Sequence, residues 1–396
     1  MKSKEKQKNI PNGWIHIKLG KVSTISAGGT PSTKRKDFWG GNVPWMNSGD
    51  LNKRVVFEVD GRITESGLKS SAAKILPINS VLIGLAGQGK TRGTVAINKI
   101  KLCTNQSVAT FIPGKNLNYQ FLFYNLDRRY EELRRISAGD GGRGGLNLQI
   151  LKSLKIKLPA ISEQNNIVGV LGVWDAIIDK LLKKIEIKKR IKKGLIRELL
   201  TGKTRLPGFR REWEIKSFTD CFDVKNKIRG EKKFDYLVYG RFPVIDQGQS
   251  KISGYSNNKD LVINDNLPFI VFGDHTRILK LIDFPFILGN DGTKVFFGKA
   301  DYDTNFLFYL LNTIEIPNTG YNRHFKFLKD AIIKIPNSKK EQVAIAKILT
   351  TADDEIMGLE KKMGILKDQK KFLLNNLITG VIRVPEGVYK CEFVED

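Results

Sequence analysis

Cysteine and histidine are scarce in this chain of 396 residues. The three cysteines, Cys103, Cys221 and Cys391, lie far apart and form no C-x-x-C pair, so the sequence offers no disulfide framework and a reducing compartment is expected. Only three histidines, His16, His275 and His324, accompany them, which argues against a structural zinc site. We expect neither a metal nor another cofactor.

Long apolar runs are also missing. No run approaches the ~20 residues that a membrane span requires, and the polar residues 1–8 lead into no apolar signal core. The sequence therefore predicts a cytoplasmic protein that does not enter a membrane.

Acidic residues are in the minority. The chain has 41 Asp and Glu against 67 Lys and Arg, which gives a formal net charge of +26 and a sequence pI near 9.8. This excess predicts a polyanionic partner. Nucleic acid is the leading candidate, and an anionic membrane surface is the second.

The most informative feature that is present is an internal repeat. Two long helical patterns open with Glu-Gln, at Glu163 and Glu341, and close with Thr-Gly, at Thr201 and Thr379, so both ends share an offset of 178 (341 − 163 and 379 − 201). Two copies are too few for a solenoid, and we expect two globular units that recognise a two-part target. Further matches at an offset of 185 pair Thr91, Arg92, Asn105 and residues 121–124 with Thr276, Arg277, Asn290 and residues 306–309.

Each helical pattern carries its core positions at alternating spacings of four and three, which is the seam of a coiled coil. The seams run from Ile167 to Leu199 and from Ile345 to Leu377, each roughly 50 Å long at ~1.5 Å per residue. We expect Ser162 to be the N-cap of the first helix. Neither seam could exclude water alone, so the helices are predicted to pair, antiparallel, with one globular unit at each end.

The predicted fold class is α+β, with two mixed α/β domains related by a pseudo-two-fold repeat and joined by two long antiparallel coiled-coil helices. Within the first domain we expect strands at residues 80–84, 94–97 and 154–158 and one amphipathic helix at 119–133. The predicted boundaries are 10–160 for the first domain, 161–205 for the first helix, 206–338 for the second domain, 339–380 for the second helix, and 381–396 for a tail that packs near the N-terminus.

One segment matches a nucleotide-binding motif. Residues 84–91, from Gly84 to Thr91, satisfy the P-loop pattern, and an apolar run precedes them. A P-loop must open a helix whose N-terminus receives phosphate, whereas residues 94–97 resemble a strand. We therefore interpret the segment as a Gly-rich loop that meets DNA. The sequence contains no G-x-G-x-x-G motif after a strand, no H-E-x-x-H motif and no Asn-Pro-Pro-aromatic motif.

Polar and basic residues in the loops are the candidates for contacts with DNA. Arg and Lys suit guanine edges, whereas Asn and Gln suit adenine; the alternative is that most of them solvate the surface or touch phosphates. The candidates are Lys34, Arg35, Lys36, Asn47, Gln88, Lys90, Thr91, Arg92 and Arg143 in the first half, and Gln247, Gln249, Lys251, His275, Thr276, Arg277, Lys294, Arg323 and His324 in the second.

Taken in order, these motifs resemble the specificity subunits of type I restriction-modification enzymes over nearly the whole chain. The resemblance rests on the duplicated layout, on Gly28-Gly-Thr-Pro31 and Pro44-Trp45, on the Glu-Gln helix starts, and on the Thr-Gly helix ends. It implies two target-recognition domains that each read half of a bipartite double-stranded DNA site. It also implies helices that set the gap and dock two methyltransferase subunits, with restriction subunits as further partners and no catalysis in this chain.

Two other interpretations remain open from the residues alone. One is a stand-alone DNA-bridging architectural protein, and the other is a P-loop enzyme. Apolar residues outside the first seam favour a helix pair with protein partners, unless the globular domains cover them. These residues are Val170, Ile177, Leu182, Ile187, Ile191 and Ile196.

Overall fold

The computed structural model describes residues 10–87, 89–137, 145–225, 228–289, 292–320 and 322–385. The chain divides into two compact units: unit 1 comprises residues 1–180 and 363–396, and unit 2 comprises residues 181–362. Each unit therefore combines one globular domain with a segment of each long helix. Among the described residues, no helix is both long enough and apolar enough to cross a membrane.

Unit 1 is built on a five-stranded sheet of order β2-β9-β6-β7-β4, a three-stranded sheet of order β5-β3-β8, and a two-stranded pair of β1 with β10. The strands are β1 Ile15–Lys18, β2 Ser23–Ala27, β3 Trp39–Met46, β4 Val55–Val56, β5 Arg62–Ile63, β6 Val81–Gly84, β7 Val95–Asn98, β8 Cys103–Thr104, β9 Val108–Pro113 and β10 Lys155–Leu158. The helices are α1 Glu65–Lys69, α2 Tyr119–Arg128, α3 Tyr130–Ile136, α4 Leu148–Ser153 and the first part of α5 Ile161–Leu199.

Unit 2 contains two four-stranded sheets, of order β12-β19-β16-β17 and β14-β13-β18-β15, and a two-stranded pair of β11 with β20. Its strands are β11 Trp213–Ser217, β12 Phe222–Val224, β13 Phe242–Ile245, β14 Gly254–Ser256, β15 Val262–Ile263, β16 Phe269–Gly273, β17 Leu279–Ile282, β18 Phe286–Leu288, β19 Thr293–Gly298 and β20 Ile332–Pro336. Its helices are α6 Phe218–Cys221, α7 Thr304–Leu311, α8 Phe325–Lys329 and the first part of α9 Lys339–Thr379.

The predicted seam positions are the covered positions of both long helices. All ten seam residues of α5 and all ten of α9 are buried or half-buried. Four of the six apolar residues outside the seam of α5 are exposed, whereas Val170 and Ile196 pack against the cores of their units. The exposed four are Ile177, Leu182, Ile187 and Ile191.

Within each unit, the start of one long helix is held by the same set of contacts. Gln164 bridges the Pro159 carbonyl and the Asn118 amide, both at 2.9 Å, and Gln342 bridges the Pro336 carbonyl and the Asp303 amide, also at 2.9 Å. Because these amides fasten the helix start to the preceding strand and to α2 or α7, the repeated glutamine fixes the direction in which each helix leaves its domain.

The glutamate before each of these glutamines binds the segment that follows the other long helix. In unit 1 this is the segment after α9, and in unit 2 it is the segment after α5. Glu163 accepts hydrogen bonds from Trp14 Nε1 at 3.0 Å and from the guanidinium of Arg383. Glu341 accepts from Arg205 Nε at 2.8 Å, Arg205 Nη2 at 2.9 Å and Trp213 Nε1 at 3.4 Å. Both Arg205 and Arg383 lie in the exit segments that repeat at an offset of 178. The Glu-Gln motif is therefore a structural clamp within each unit.

Two sequence predictions about helix ends are wrong. The helix expected at 119–133 is interrupted at Arg129, whose φ of −92° and ψ of +13° separate α2 from α3. The Arg129 side chain binds Glu132 and the Lys155 carbonyl, which fixes this bend. Ser162 lies inside α5, because the amide of Gln164 already donates to the carbonyl of Ala160 at 3.0 Å.

A buried tyrosine joins each globular domain to its helix segments. Tyr124 Oη donates to Asp175 at 2.6 Å, and Tyr309 Oη donates to Asp353 at 2.8 Å. Asp175 also pairs with Lys370, and Asp353 pairs with Lys192. Burial raises the pKa of both Tyr124 and Tyr309 above the ordinary value of a tyrosine, and the carboxylate of Asp175 raises that of Tyr124 further. Both phenols therefore stay protonated.

We expect Tyr124→Phe and Tyr309→Phe each to lower the free energy of unfolding by about 1–2 kcal/mol, because the first loses the hydrogen bond to Asp175 and the second loses those to Asp353 and Thr350. Neither change leaves a cavity. Urea denaturation of the two variants measures this effect. Tyr239→Phe is the matched control, since Tyr239 is 86% exposed and its replacement should change stability by less than ~0.5 kcal/mol. Equal stabilities for all three variants would contradict the role of these hydroxyl groups.

Candidate nucleic-acid interface

The Gly-Gly-Thr-Pro and Pro-Trp motifs of the first half form one structural element. A Cβ atom on Gly28 would overlap the carbonyl of Thr104, and one on Gly29 would overlap the backbone of Ala73. Trp45 Nε1 donates to the Gly29 carbonyl at 3.0 Å, and the Trp45 ring lies edge-on to Trp39 at 5.0 Å. These motifs therefore hold the base of the loop that carries Lys34, Arg35 and Lys36.

That basic loop lies on the surface between β2 and β3. Lys34, Arg35 and Lys36 are all exposed, and Arg35 forms two hydrogen bonds to Asp37, at 2.8 and 2.6 Å, which neutralise its charge locally. Asn47 follows β3 and caps a 3₁₀ helix, because its Oδ1 accepts from the amide of Gly49 at 2.7 Å. Its amide nitrogen is the part of Asn47 that is left for an outside contact.

The segment that matches a P-loop is the connection of a β-hairpin. β6 pairs antiparallel with β7, and β7 follows Thr91 where a P-loop would open a helix. The strand predicted after this loop is thus confirmed as Val95–Asn98. Arg134 Nη1 donates to the Gly89 carbonyl at 2.7 Å, and Tyr130 Oη donates to the Lys90 carbonyl at 3.1 Å, so α3 supports the loop from behind.

These bonds leave the side chain of Lys90 exposed at the tip of the hairpin, while Thr91 and Arg92 are half-buried at its base. Gln88 and Arg143, which we also predicted to meet DNA, lie outside the described residues.

In unit 2 the corresponding hairpin joins β16 to β17 and is shorter. Thr276 Oγ1 donates to the Gln247 carbonyl at 2.7 Å, which ties this hairpin to the loop after β13. Gly292 packs tightly against both His275 and Gln247, where a Cβ atom would collide with either side chain. Three predicted residues from distant parts of the sequence therefore lie together, namely Gln247, His275 and Thr276. Gln249 follows in the same loop as Gln247 and is exposed.

A buried lysine shapes the loop that carries Gln247, Gln249 and Lys251. Lys280 is 6% exposed, and its Nζ donates to the carbonyls of Asp246 at 2.7 Å and Ser250 at 2.5 Å. Burial lowers the pKa of Lys280, while the charge of Asp246 opposes this change. The two carbonyl contacts pin both ends of the loop, so the glutamines between them are presented on a supported backbone.

The remaining predicted residues of unit 2 have different environments. Lys251 is exposed, and its Nζ lies 3.8 Å from Asp283. Lys294 on β19 lines a cavity of about 380 Å³ together with Lys225 and Lys329. Arg277 has a φ of +63°, and its guanidinium donates to the Ile316 carbonyl at 3.2 Å. This hydrogen bond gives Arg277 a structural role within unit 2. Arg323 is exposed.

His324 is a correction to the predicted set. Its side chain is fully buried, Nδ1 lies 2.9 Å from the Asp274 carbonyl, and Nε2 lies 3.2 Å from Thr319 Oγ1. A buried imidazole with contacts at both nitrogens cannot reach DNA in this conformation. His324 instead joins the start of α8 to the β16–β17 hairpin.

The sequence prediction missed a basic and aromatic segment beside the same surface. Lys232, Lys233, Phe234 and Tyr236 line a cavity of about 430 Å³ together with Gln247 and Thr276. Phe234 is 79% exposed, and Lys232 Nζ lies 5.5 Å from the centre of its ring. Interleaved cations and exposed aromatic rings are typical of nucleic-acid surfaces, and this pattern is visible in residues 231–239.

Each unit thus carries a β-hairpin that contacts the rest of its unit, with exposed Lys90 in the hairpin of unit 1 and with Lys232, Lys233 and Gln247 beside that of unit 2. Among the described residues, no group of His, Cys, Asp and Glu could hold a metal ion. Such an arrangement can bind a polyanion and form hydrogen bonds with base edges.

The sequence model of one protein family, described as the type I restriction modification DNA specificity domain, matches this chain twice, at residues 11–195 and 210–366. The chain belongs to this family. The two matches cover most of the chain and fall on its two repeats, as the resemblance in the sequence predicted.

Two curated relatives are similar to this specificity subunit over nearly its whole length. Both come from Methanocaldococcus jannaschii: the type I restriction enzyme MjaIX specificity subunit and the MjaVIII specificity subunit, each 25% identical. The alignments cover 95% of this chain in both cases, and 95% and 94% of the two relatives.

The fold is similar to that of a solved type I restriction-modification S subunit from M. genitalium, with a TM-score of 0.65. The match covers 94% of this chain and 98% of that structure at 16% sequence identity, so it supports the mixed α/β architecture alone.

Proposed function

We propose that this chain reads a bipartite double-stranded DNA site as the recognition subunit of a type I restriction-modification complex. The observation that carries this proposal is the double family match, one on each repeat. The chain supplies sequence recognition and not catalysis. Each globular domain contacts one half-site through its hairpin and the neighbouring basic loop, with the net charge of +26 favouring the phosphate backbone.

We further propose that residues 10–160 and 206–338 are the two target-recognition domains and that α5 and α9 form an antiparallel coiled coil with pseudo-two-fold symmetry. The repeated ion pairs support this arrangement. Asp175 pairs with Lys370 in unit 1 and Asp353 pairs with Lys192 in unit 2, and both the aspartates and the lysines repeat at an offset of 178 (353 − 175 and 370 − 192). In each pair the two residue numbers add up to 545. A constant sum is what an antiparallel pairing predicts, because moving forward along one helix then corresponds to moving backward along the other.

Exposed apolar side chains on the helix segments support methyltransferase docking. In unit 1, Ile365 is 50% and Phe372 61% exposed; in unit 2, Ile187 is 54%, Ile191 50% and Met357 63% exposed. Apolar surface of this kind marks protein interfaces. Two methyltransferase subunits would cover it, restriction subunits would join the same complex, and the assembly would work in the cytoplasm.

We expect the chain to copurify with a methyltransferase encoded beside it and to be poorly soluble alone, because the apolar helix surface would otherwise face water. Co-expression followed by size-exclusion chromatography with light scattering measures the complex. Changing Ile191 and Met357 together to Lys should weaken the complex, whereas changing exposed Lys193 and Lys361 to Ala should not. A monodisperse lone chain that binds no such methyltransferase would favour the DNA-bridging architectural alternative.

Lys90→Ala and Arg323→Ala should each weaken DNA binding, one through each half of the site. Both side chains are exposed near the proposed interface. If they bind phosphates, affinity falls for every sequence and the salt slope shrinks by about one unit; if they read bases, one half-site relaxes at a cost of about 1–3 kcal/mol.

The measurement is fluorescence anisotropy on a selected DNA site over a range of salt concentrations. Lys115→Ala is the matched control. Lys115 is exposed just beyond β9, at the opposite end of the sheet from the β6–β7 hairpin, because β6 and β9 are antiparallel. An effect of Lys115→Ala as large as that of Lys90→Ala would show that only the total charge matters and would remove the hairpin from the interface.

A further inference from the structure

Unit 1 contains a cavity of about 260 Å³ whose walls are unusually rich in cations. It lies where the end of α2 meets the β1–β10 pair and the last residues of α9. The charged and polar residues that line it are His16, Asn125, Arg128, Arg129, Glu132, Lys155, Lys157 and Thr379.

One of the two arginines is already neutralised. Arg129 Nε and Nη2 donate to both oxygens of Glu132, at 2.9 and 2.6 Å. This pairing lowers the pKa of Glu132, so the carboxylate stays ionised and is committed to Arg129. The one acidic side chain among the described residues of the cavity wall therefore directs its hydrogen bonds to Arg129 and acts on Arg128 through its charge alone.

Arg128 is the arginine of this cavity that forms no ion pair among the described residues. Its Nε is buried and has no hydrogen-bond partner among the described residues. An arginine stays charged at any ordinary pH, and a buried donor that lacks a partner costs stability. Burial, followed by the neighbouring charge of Arg129, lowers the pKa of Arg128, while the charge of Glu132 partly opposes this change.

A second buried group beside it is also unsatisfied. Asn125 is 4% exposed, and its Oδ1 has no partner in the described part of the chain. A flip of the amide about its last side-chain bond exchanges its oxygen and nitrogen, so this side chain can offer a donor at the cavity wall. The carbonyl of Thr379 at the end of α9 would repel an anion, but Lys157 Nζ lies 3.4 Å from it and offsets its charge.

We propose that this cavity binds a phosphate group, with Arg128 and the amide of Asn125 as its principal ligands and Lys155 at its rim. The phosphate is either one in a DNA backbone, which rests on the proposed function, or a free phosphate ion. The site belongs to one repeat alone, since the equivalent positions at an offset of 185 are Leu310 and Thr313.

The test measures binding of inorganic phosphate to the whole chain by calorimetry, with chloride at equal ionic strength as the reference. We expect Arg128→Gln to weaken phosphate binding by about tenfold or more, which is the effect of one charge-assisted hydrogen bond. Asn125→Asp should abolish binding while preserving the shape of the side chain, because its carboxylate would neutralise Arg128. Arg135→Gln is the control with the same charge change, since Arg135 is exposed and does not line the cavity.

Thermal unfolding gives a second measurement that a purely structural role would not explain. Without phosphate, Arg128→Gln should be at least as stable as the unchanged chain, because the unpaired cation is gone. With phosphate, the midpoint of the unchanged chain should rise and that of Arg128→Gln should not.

Salt titrations of DNA binding separate the two sources. If Arg128→Gln reduces the salt slope by about one unit more than Arg135→Gln, the cavity holds a backbone phosphate. If it abolishes phosphate binding and leaves the DNA slope equal to that of the control, the ligand is free phosphate. The proposal is overturned if Arg128→Gln changes neither. A chain that selects no DNA site would contradict the proposed function without affecting the phosphate calorimetry.

Discussion

Replacing Glu341 with alanine is expected to lower the free energy of unfolding of unit 2 by about 3–5 kcal/mol, the usual cost of removing one partner from a buried ion pair. Glu341 is only 2% exposed and accepts two hydrogen bonds from Arg205 and a third from Trp213. Alanine would leave a guanidinium and a buried indole N–H without their acceptor. It would also remove a negative charge from the first turn of α9, where the helix dipole favours one.

The equivalent change in unit 1, Glu163→Ala, should cost less. The side chains of Glu163 and Arg383 are 15% and 44% exposed, whereas those of Glu341 and Arg205 are 2% and 26% exposed. Water can therefore replace more of the lost contacts in unit 1. The repeat thus predicts the same kind of effect in both units but a larger one in unit 2.

Guanidinium chloride denaturation, followed by far-UV circular dichroism, measures the difference. Exposed Glu212 supplies the matched control, and Glu212→Ala should change stability by less than ~0.5 kcal/mol. In a double-mutant cycle, Arg205→Ala should lose most of its own effect once Glu341 is already alanine. Additive effects of the two changes would mean that the clamp is not formed.

The sequence repeat identified the residues of this clamp, but it did not predict the contacts between them. The offset of 178 identified Glu163, Glu341 and the two exit segments as equivalent, and the alternating spacing of four and three identified the covered face of each helix. Both signals are local or periodic. The contacts between Glu341, Arg205 and Trp213 are not, because they join parts of the chain that are far apart in sequence and meet only through the fold of one unit.

The candidate interface shows the same limit. The strand after the P-loop-like segment could be predicted because Thr94-Val-Ala-Ile97 has local strand propensity. The burial of His324 could not, since it depends on a carbonyl 50 residues away in the β16–β17 hairpin. Nor does sequence order show that residues 232–236 meet Gln247 and Thr276 around one cavity. Composition predicts a polyanion-binding surface, and only tertiary contacts assemble it.

Deleting one heptad from each long helix is expected to shorten the unspecified gap of the DNA site by about three base pairs. The deletion removes residues 181–187 and 359–365, which is roughly 10 Å of helix at ~1.5 Å per residue, and DNA rises ~3.4 Å per base pair. Removing a whole heptad keeps the apolar register of both seams. Both ion pairs can also still form, because the two deletions shift the helices by the same amount. After renumbering, the residue numbers of each pair, Asp175 with Lys370 and Lys192 with Asp353, again add up to the same value.

The experiment selects binding sites from a randomised DNA pool with the unchanged chain and with the double deletion, each in complex with the proposed methyltransferase partner. The two half-site sequences should stay the same, since the deletion touches no recognition loop, and only the gap between them should shrink. A failure to bind any site would also agree with a spacer role, because a change of about three base pairs rotates one half-site by roughly a quarter to a third of a helical turn of ~10 base pairs. Deleting residues 181–187 alone is the control, because it shifts one ion pair relative to the other and should destabilise the chain.

An unchanged gap at full affinity would show that α5 and α9 do not set the spacing. The length of the gap would then have to be set by the two globular domains themselves.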